Sequence, residues 1–215
     1  IYAICGDGDL MEGVASEAAS LAGHLKLGNI IYLYDDNNIS IDGSTGLSFT
    51  EDVGARFEAY GWHVQTVHDG NNLEKIETAI RHAQQVTDKP SLIKVKTHIG
   101  FGSPNKQDSH DAHGSPLGDD EIKLTKKNYG WDENKTFFIP DEALKHFRAA
   151  IEEGKQRESD WKMRFAEYKK VYPELAVTLE NSVNGKYGDA WKKALPVFTS
   201  ENGSIATREA SGKVL

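Results

Sequence analysis

The stretch IYAICGDGDLMEG, residues 1–13, decides the fold. Residues 1 to 5 form a continuous apolar run that ends in glycine, the pattern of a β-strand buried on both faces. From Leu10 to Leu27 the pattern turns helical, rich in Ala, Leu and Glu, with Gly28 just past its end. Between the two stands an acid flanked by glycines, Gly6-Asp7-Gly8, and then a second acid, Asp9. Turn chemistry alone accounts for an Asp-Gly pair. It does not account for the way the same edge is furnished further along the chain.

NIIYLYDD (29–36) is a second apolar strand, and it too closes in acids, followed by Asn37 and Asn38. Residues 51–60 read as a helix and WHVQTVHD (62–69) as a strand. Asn72 caps a helix over 73–86, and SLIKVKTHI (91–99) follows Pro90 as a β-branched run. Strand and helix alternate, with glycine or acid at each strand's carboxyl end. This predicts an α/β fold, a parallel sheet with helices on both faces, followed by a helical linker region. Ligands of such sheets bind beyond the carboxyl ends of the strands. The segments GDGD, DDNN and HDGNN fall there, as does the long HIGFGSPNKQDSHDAHGSPLG (98–118), too long to be an incidental connection.

After Asp119 the character changes. Residues 140–154 and 158–172 predict two amphipathic helices, with Trp161, Phe165 and Tyr168 at helical spacing for packing. PVFTSENGSIATREASGKVL (196–215) reads as a linker entering the first helix of a further domain. The chain opens on Ile1 inside a strand, so a fragment of something longer is expected.

Composition sets outer bounds. The 215 residues are 38% apolar and 27% charged, as in ordinary globular proteins. A formal net charge of −8 argues against a nucleic-acid binder or an anionic-membrane binder. An anionic ligand would therefore need local positive groups or a bound cation. Cys5 is the only cysteine, so no intrachain disulfide forms, and a small core residue is the expected role. No run has the length of a membrane span, and a cytoplasmic location is expected.

Two adjacent parallel strands would bring Asp7 and the Asn37-Asn38 pair to one edge. A carboxylate and an amide oxygen are hard ligands suited to Mg²⁺ or Ca²⁺. One carboxylate is too little for an all-protein cage, but enough for a Mg²⁺ that completes its shell with phosphate oxygens and water. Gly6 and Gly8 admit a phosphate close to the backbone, and the amides opening the next helix favour its charge. The constellation reads as a metal–diphosphate site, with the choice between Asn37 and Asn38 open.

GDG, a helix, and a strand ending in Asn resemble the diphosphate-anchoring motif of thiamine diphosphate enzymes. SLAGHLKLGNIIYLYDDNNISIDG (20–43), RFEAYGWHV (56–64), TDKPSLIKVKTHIGFGSPNK (87–106) and HDAHGSPLG (110–118) narrow the resemblance to the transketolase family. It extends into SIATREASGKVL (204–215), whereas related thiamine diphosphate enzymes share only the short motif. The resemblance implies Mg²⁺, with Ca²⁺ as a substitute, held by Asp7, the side chain of Asn37 and the backbone carbonyl of Ile39. It implies that Gly6 and Gly8 lie along the diphosphate and that Ile99 packs on the thiazolium. His113 would contact the diphosphate and face the substrate, and Arg208 would grip a sugar phosphate. Glu12 and Glu17 would join a carboxylate network between two cofactors across a homodimer. His24 and His110 are expected to be solvated surface. Asp9 departs from the family, where cysteine is frequent, and should turn back to cap its helix.

On this resemblance, residues 1–135 form a diphosphate domain without its N-terminal part, 136–200 a helical extension, and 201–215 the start of a pyrimidine-binding domain. The implied activity is transfer of a two-carbon ketol unit between sugar phosphates. The implied partners are sugar phosphates, thiamine diphosphate and the pyrimidine-binding domain, in trans or from the full-length parent. The chain alone is expected to be inactive or nearly so. The alternatives are a non-catalytic cofactor-binding subunit of a split enzyme, or dihydroxyacetone synthase.

Overall fold

A computed structural model describes residues 1–201 and 203–215 of the chain. The chain divides into two compact units, 1–136 and 137–215.

The first unit is built on four parallel strands: β1 (Tyr2–Gly6), β2 (Ile31–Asp36), β5 (His63–Val67) and β6 (Ser91–Lys96), in the order β1-β2-β6-β5. The register sets Gly6 beside Asp35 and Asp36 beside Lys96, so the chemistry-bearing strand ends are level. Between β2 and β5 come a two-stranded antiparallel hairpin, β3 (Ile39–Ser40) with β4 (Gly43–Ser44), and a short 3-10 turn, Thr45–Leu47. Helices α1 (Asp7–Met11), α2 (Gly13–His24), α3 (Val53–Ala59), α4 (Leu73–Gln85) and α5 (Asp119–Asn128) complete the unit.

Side-chain alternation along the strands divides the core in two. On one face Cys5, Tyr34 and Leu92 pack with Ala19 and Ala22 of α2, Val53 and Phe57 of α3, and Trp62. On the other, Ile31, Ile93, Val95 and Val67 pack under Ala79 and Ala83 of α4. Helices thus cover both faces, as expected. Small residues on α2 let it lie close: the Trp62 indole donates to the Ala19 carbonyl at 2.8 Å. Burial pushes the Cys5 thiol up to about 12, an inert core side chain.

Element ends differ from the sequence reading for local reasons. The helix expected over 10–27 starts at Asp7 and is interrupted at Glu12, whose backbone is extended (φ −69°, ψ 134°). The strands expected over 62–69 and 91–99 stop at Val67 and Lys96. β2 ends at Asp36 and β5 at Val67, so residues 97–99 have no neighbouring strand to pair with. Asn72 does cap α4, its Oδ1 accepting from the Lys75 amide at 3.0 Å.

In the second unit, the two helices expected over 140–154 and 158–172 are one, α6 (Asp141–Val171). Gly154 does not break it, because a single internal glycine costs only about 1 kcal/mol. Lys155 pairs with Glu152 at 2.7 Å, Gln156 donates to Asp160 at 2.9 Å, and Arg157 pairs with Glu153, tying the helix together through the expected gap. Trp161 and Phe165 stack along the helix with centroids 5.0 Å apart, although Trp161 stays exposed. α7 (Pro173–Val183) follows with proline at its first position, then α8 (Ala190–Ala194) and α9 (Thr207–Val214).

Candidate active site

Three loops leave the carboxyl edge of the sheet and meet around a cleft of about 750 Å³. Gly6, Asp7, Gly8 and Glu12 line it from the β1 side, Asn37 and Ile39 from β2, and Ile99 and His113 from the segment after β6. Eight of the expected site residues therefore share one cavity. Glu17 lies on α2, exposed and outside the lining, and Arg208 belongs to the second unit, exposed on the first turn of α9. His24 and His110 are exposed, as expected.

Asp7 is buried at the sheet edge, 4% exposed. Its Oδ1 accepts from the Tyr34 hydroxyl and its Oδ2 from the Asn38 amide at 3.1 Å. Burial raises its pKa above the ordinary aspartate value and outweighs the Tyr34 hydrogen bond, which lowers it; nearby Asp36 raises it further. Burial and the Asp7 carboxylate keep the Tyr34 hydroxyl protonated, so it serves as a donor. Asp36, also buried, is matched by Lys96 at 2.8 Å.

The segment after β2 is wound tightly. Asn37 Oδ1 accepts from the Ile39 amide at 2.9 Å, while its Nδ2 donates to Asp35 at 3.2 Å. Asp35 in turn accepts from the Thr97 hydroxyl, joining the β2 and β6 exits. Asn38 takes a left-handed conformation, φ 62°, which asparagine tolerates better than most residues. Its amide is thereby given to Asp7, while the neighbouring Asn37 lines the cleft.

Asp9 turns back on its own helix, its Oδ2 accepting from the Gly6 amide at 2.8 Å. The extra carboxylate therefore caps α1, as expected from the sequence. Gly8 poses a different question. Its φ is outside the left-handed region, and a Cβ built on it would meet nothing within 4 Å. At Gly6 the nearest atom would be Asp9 Oδ2 at 4.0 Å. Neither the backbone nor the packing of this chain calls for glycine there, and the space beside Gly8 stays open.

Among the described residues no three His, Cys, Asp or Glu side chains are arranged to hold a metal by themselves. The oxygen donors at the β1 and β2 tips instead fit a hard cation that arrives with further oxygen ligands. Sequence reasoning missed Tyr34, which reads as core because its ring is core. Its hydroxyl is the only sign of a polar role, and no local pattern reveals its partner.

Fold and cleft together define an α/β domain with a cleft at the carboxyl edge of its parallel sheet, between a Gly-Asp-Gly loop and an asparagine. Comparison with known proteins makes the class specific. The family described as "Transketolase, thiamine diphosphate binding domain" matches residues 1–188, and the chain belongs to it. A transketolase of Geobacillus stearothermophilus is 52% identical over 215 residues, all of this chain and 32% of the relative. One of Nostoc sp. is 53% identical over 211 residues, 98% of this chain and 31% of the relative. A crystal structure of Pichia stipitis transketolase in complex with sedoheptulose 7-phosphate superposes with a TM-score of 0.83. It is 46% identical, with 99% of this chain and 32% of that one covered. The transketolase of Leishmania mexicana gives 0.82 at 39% identity, covering 99% of this chain and 31% of that one. The chain spans about a third of the length of the curated relatives it matches. Among the described residues no helix is long and apolar enough to cross a membrane.

Proposed function

We propose that this chain anchors the diphosphate of thiamine diphosphate through Mg²⁺, as part of a cytoplasmic transketolase that moves a two-carbon ketol unit between sugar phosphates. The observation that carries the reading is the pair of glycines flanking a buried aspartate, with open cleft where their side chains would be.

The bound cofactor supplies the electron sink for cleaving and remaking the carbon–carbon bond. The protein's own part is positioning. Asp7, the Asn37 side chain and the Ile39 carbonyl hold the metal, and Tyr34 and the Asn38 amide keep the Asp7 carboxylate in one orientation. Gly6 and Gly8 give the diphosphate access to the α1 end of the backbone. Ile99 offers an apolar wall to the thiazolium. His113, exposed on the opposite loop, contacts the diphosphate and faces the substrate. Arg208 binds the sugar phosphate, to which its planar donor fork is suited. Glu12 and Glu17 belong to a carboxylate network at a homodimer interface. The domain reading is a diphosphate domain over 1–135, a helical extension over 136–200, and entry into a pyrimidine-binding domain at 201–215. The remaining length of the relatives carries the other groups the reaction needs, so these residues alone have little or no ketol-transfer activity.

Calorimetric titration of thiamine diphosphate with Mg²⁺ tests the assignment. The wild-type chain should bind in a metal-dependent manner, and Asp7→Ala should lose that binding. Because alanine leaves Tyr34 and Asn38 unpaired, Asp7→Asn serves as a partner variant that keeps the shape and removes the charge. Undiminished metal-dependent binding in both variants would overturn the assignment.

A further inference from the structure

The segment between β6 and α5 brings Ile99 and His113 to the cleft, yet it is neither strand nor regular helix apart from one 3-10 turn, His110–Ala112. Something must hold it. Within the segment, the Asp108 amide donates to the Ile99 carbonyl at 2.9 Å, and Ser109 Oγ to the Lys106 carbonyl at 3.0 Å. The Gly102 amide donates to Gln107 Oε1 at 2.8 Å, and the His113 amide to the His110 carbonyl at 2.9 Å. These bonds make the segment one knot, but they do not fix the knot to the domain.

Thr97 ties the start of the segment to Asp35, and the further attachment comes from α5. Glu121, in its first turn, is buried although it carries charge. Its Oε1 accepts from the Ser103 hydroxyl and from the Asn105 amide at 2.8 Å, and its Oε2 from Asn105 Nδ2 at 2.8 Å. Ser103 is buried with it, and its Oγ accepts from the Lys106 amide at 3.2 Å. Further along α5, Asn128 Nδ2 donates to the Gly102 carbonyl at 2.8 Å, and the Tyr129 hydroxyl just beyond donates to Phe101. Gly102 has φ +82°, and a Cβ there would come within 2.5 Å of the Tyr129 ring, so helix and loop are in close contact. Glu121 does not line the cleft.

We propose that Glu121 is a positioning residue for the cofactor: its buried carboxylate pins the 101–107 turn to α5 and thereby holds Ile99 and His113 at the cleft. The role rests on the cofactor reading above. A carboxylate suits it because three donors converge on two oxygens, and charge-assisted bonds are the stronger ones. Glutamine in its place would turn an NH₂ toward one of those donors.

The test uses Glu121→Gln, with Thr125→Ala as a control on the same helix, since the Thr125 hydroxyl donates to the Glu121 main-chain carbonyl and not to its carboxylate. In Glu121→Gln, hydrogen exchange at the amides of Asp108, Ala112 and His113 should quicken about tenfold or more, while Leu92 and Ile93 in β6 keep their protection. Affinity for thiamine diphosphate with Mg²⁺ should fall about tenfold, and by clearly less when His113→Ala is already present, because the two changes act through one contact. Thr125→Ala should leave loop exchange and affinity at wild-type values. Unchanged loop exchange in Glu121→Gln overturns the clamp. Full additivity with His113→Ala overturns its action through His113. If the wild-type chain binds no thiamine diphosphate, the remaining length of the relatives is needed to hold the cofactor, and the exchange measurement alone decides whether Glu121 holds the loop.

Discussion

Gly8 and Asp9 stand side by side in the sequence and divide the labour at the cleft. Asp9 spends its carboxylate on the Gly6 amide, so its charge serves the helix start. Gly8 does nothing for the fold that alanine could not do, since nothing lies within 4 Å of the position a Cβ would take. Replacement by alanine in α1 should therefore leave stability unchanged or raise it by about 0.5–1 kcal/mol. The same methyl would stand where we propose that the diphosphate approaches, and affinity for thiamine diphosphate should then fall at least about tenfold, a cost of the overpacking kind. Thermal melts and calorimetry on one sample separate the two effects. A loss of stability without a loss of affinity would return Gly8 to a purely structural role.

Helix placement at this sheet depends on backbones that nearly touch. In α2, a Cβ on Gly23 would come within 1.8 Å of the Tyr60 carbonyl oxygen, a rigid neighbour that cannot step aside. Gly23→Ala should therefore push α2 away from the α3–β5 turn and destabilise the domain by about 2–3 kcal/mol in urea unfolding. α5 contributes through Glu121. Hydrogen bonds from Asn105 and Ser103 hold its carboxyl below the ordinary glutamate value of 4.5. In the acid range the unfolded chain then binds more protons than the folded one, so this contribution makes stability rise with pH. It is complete above the ordinary glutamate value and is lost as pH falls through the lower folded-state value. The stability gap between wild type and Glu121→Gln should accordingly be widest near neutral pH and narrow as pH falls below the ordinary glutamate value. A gap independent of pH would mean that packing, not charge, is what the glutamine disturbs.

At the scale of the molecule, the cofactor and metal are linked to the stability of the first unit. The cleft groups come from three different loops, which a bound ligand would tie together further: Asp7 after β1, Asn37 after β2, Ile99 and His113 after β6. A ligand that binds only the folded chain stabilises it by about 2.7 kcal/mol at a hundred times its dissociation constant. The melting temperature should rise with thiamine diphosphate and Mg²⁺ together and fall back when EDTA is added. Thiamine diphosphate alone should do little, because Asp7 sits where the diphosphate would need the cation's charge between them. The second unit contains no cleft residue expected for the metal, so Arg208 there should be silent in this experiment.

Much of the domain was legible from one dimension. Apolar runs closed by glycine or acid, alternating with helical patterns, are local signals, and they were enough for a parallel α/β sheet and for Asp7, Gly8 and the Asn37-Asn38 pair at its carboxyl edge. Where local signals were misleading, the cause was local too: a lone glycine at 154 that good helix formers and ion pairs bridge, and a strand-like run at 97–99, with β-branched Thr97 and Ile99, that no strand pairs. Other features could not be read this way, because they are relations between distant positions. Tyr34 donates to Asp7 across 27 residues of chain, and Glu121 holds Ser103 across 18. A tyrosine in a strand and a glutamate opening a helix look the same whether or not such a partner exists. The sequence by itself determined which groups lie at the cleft edge, since strand period and loop position follow from neighbours. Only the tertiary structure decided which buried hydrogen bonds hold those groups still, since burial and partnership arise when remote segments pack together.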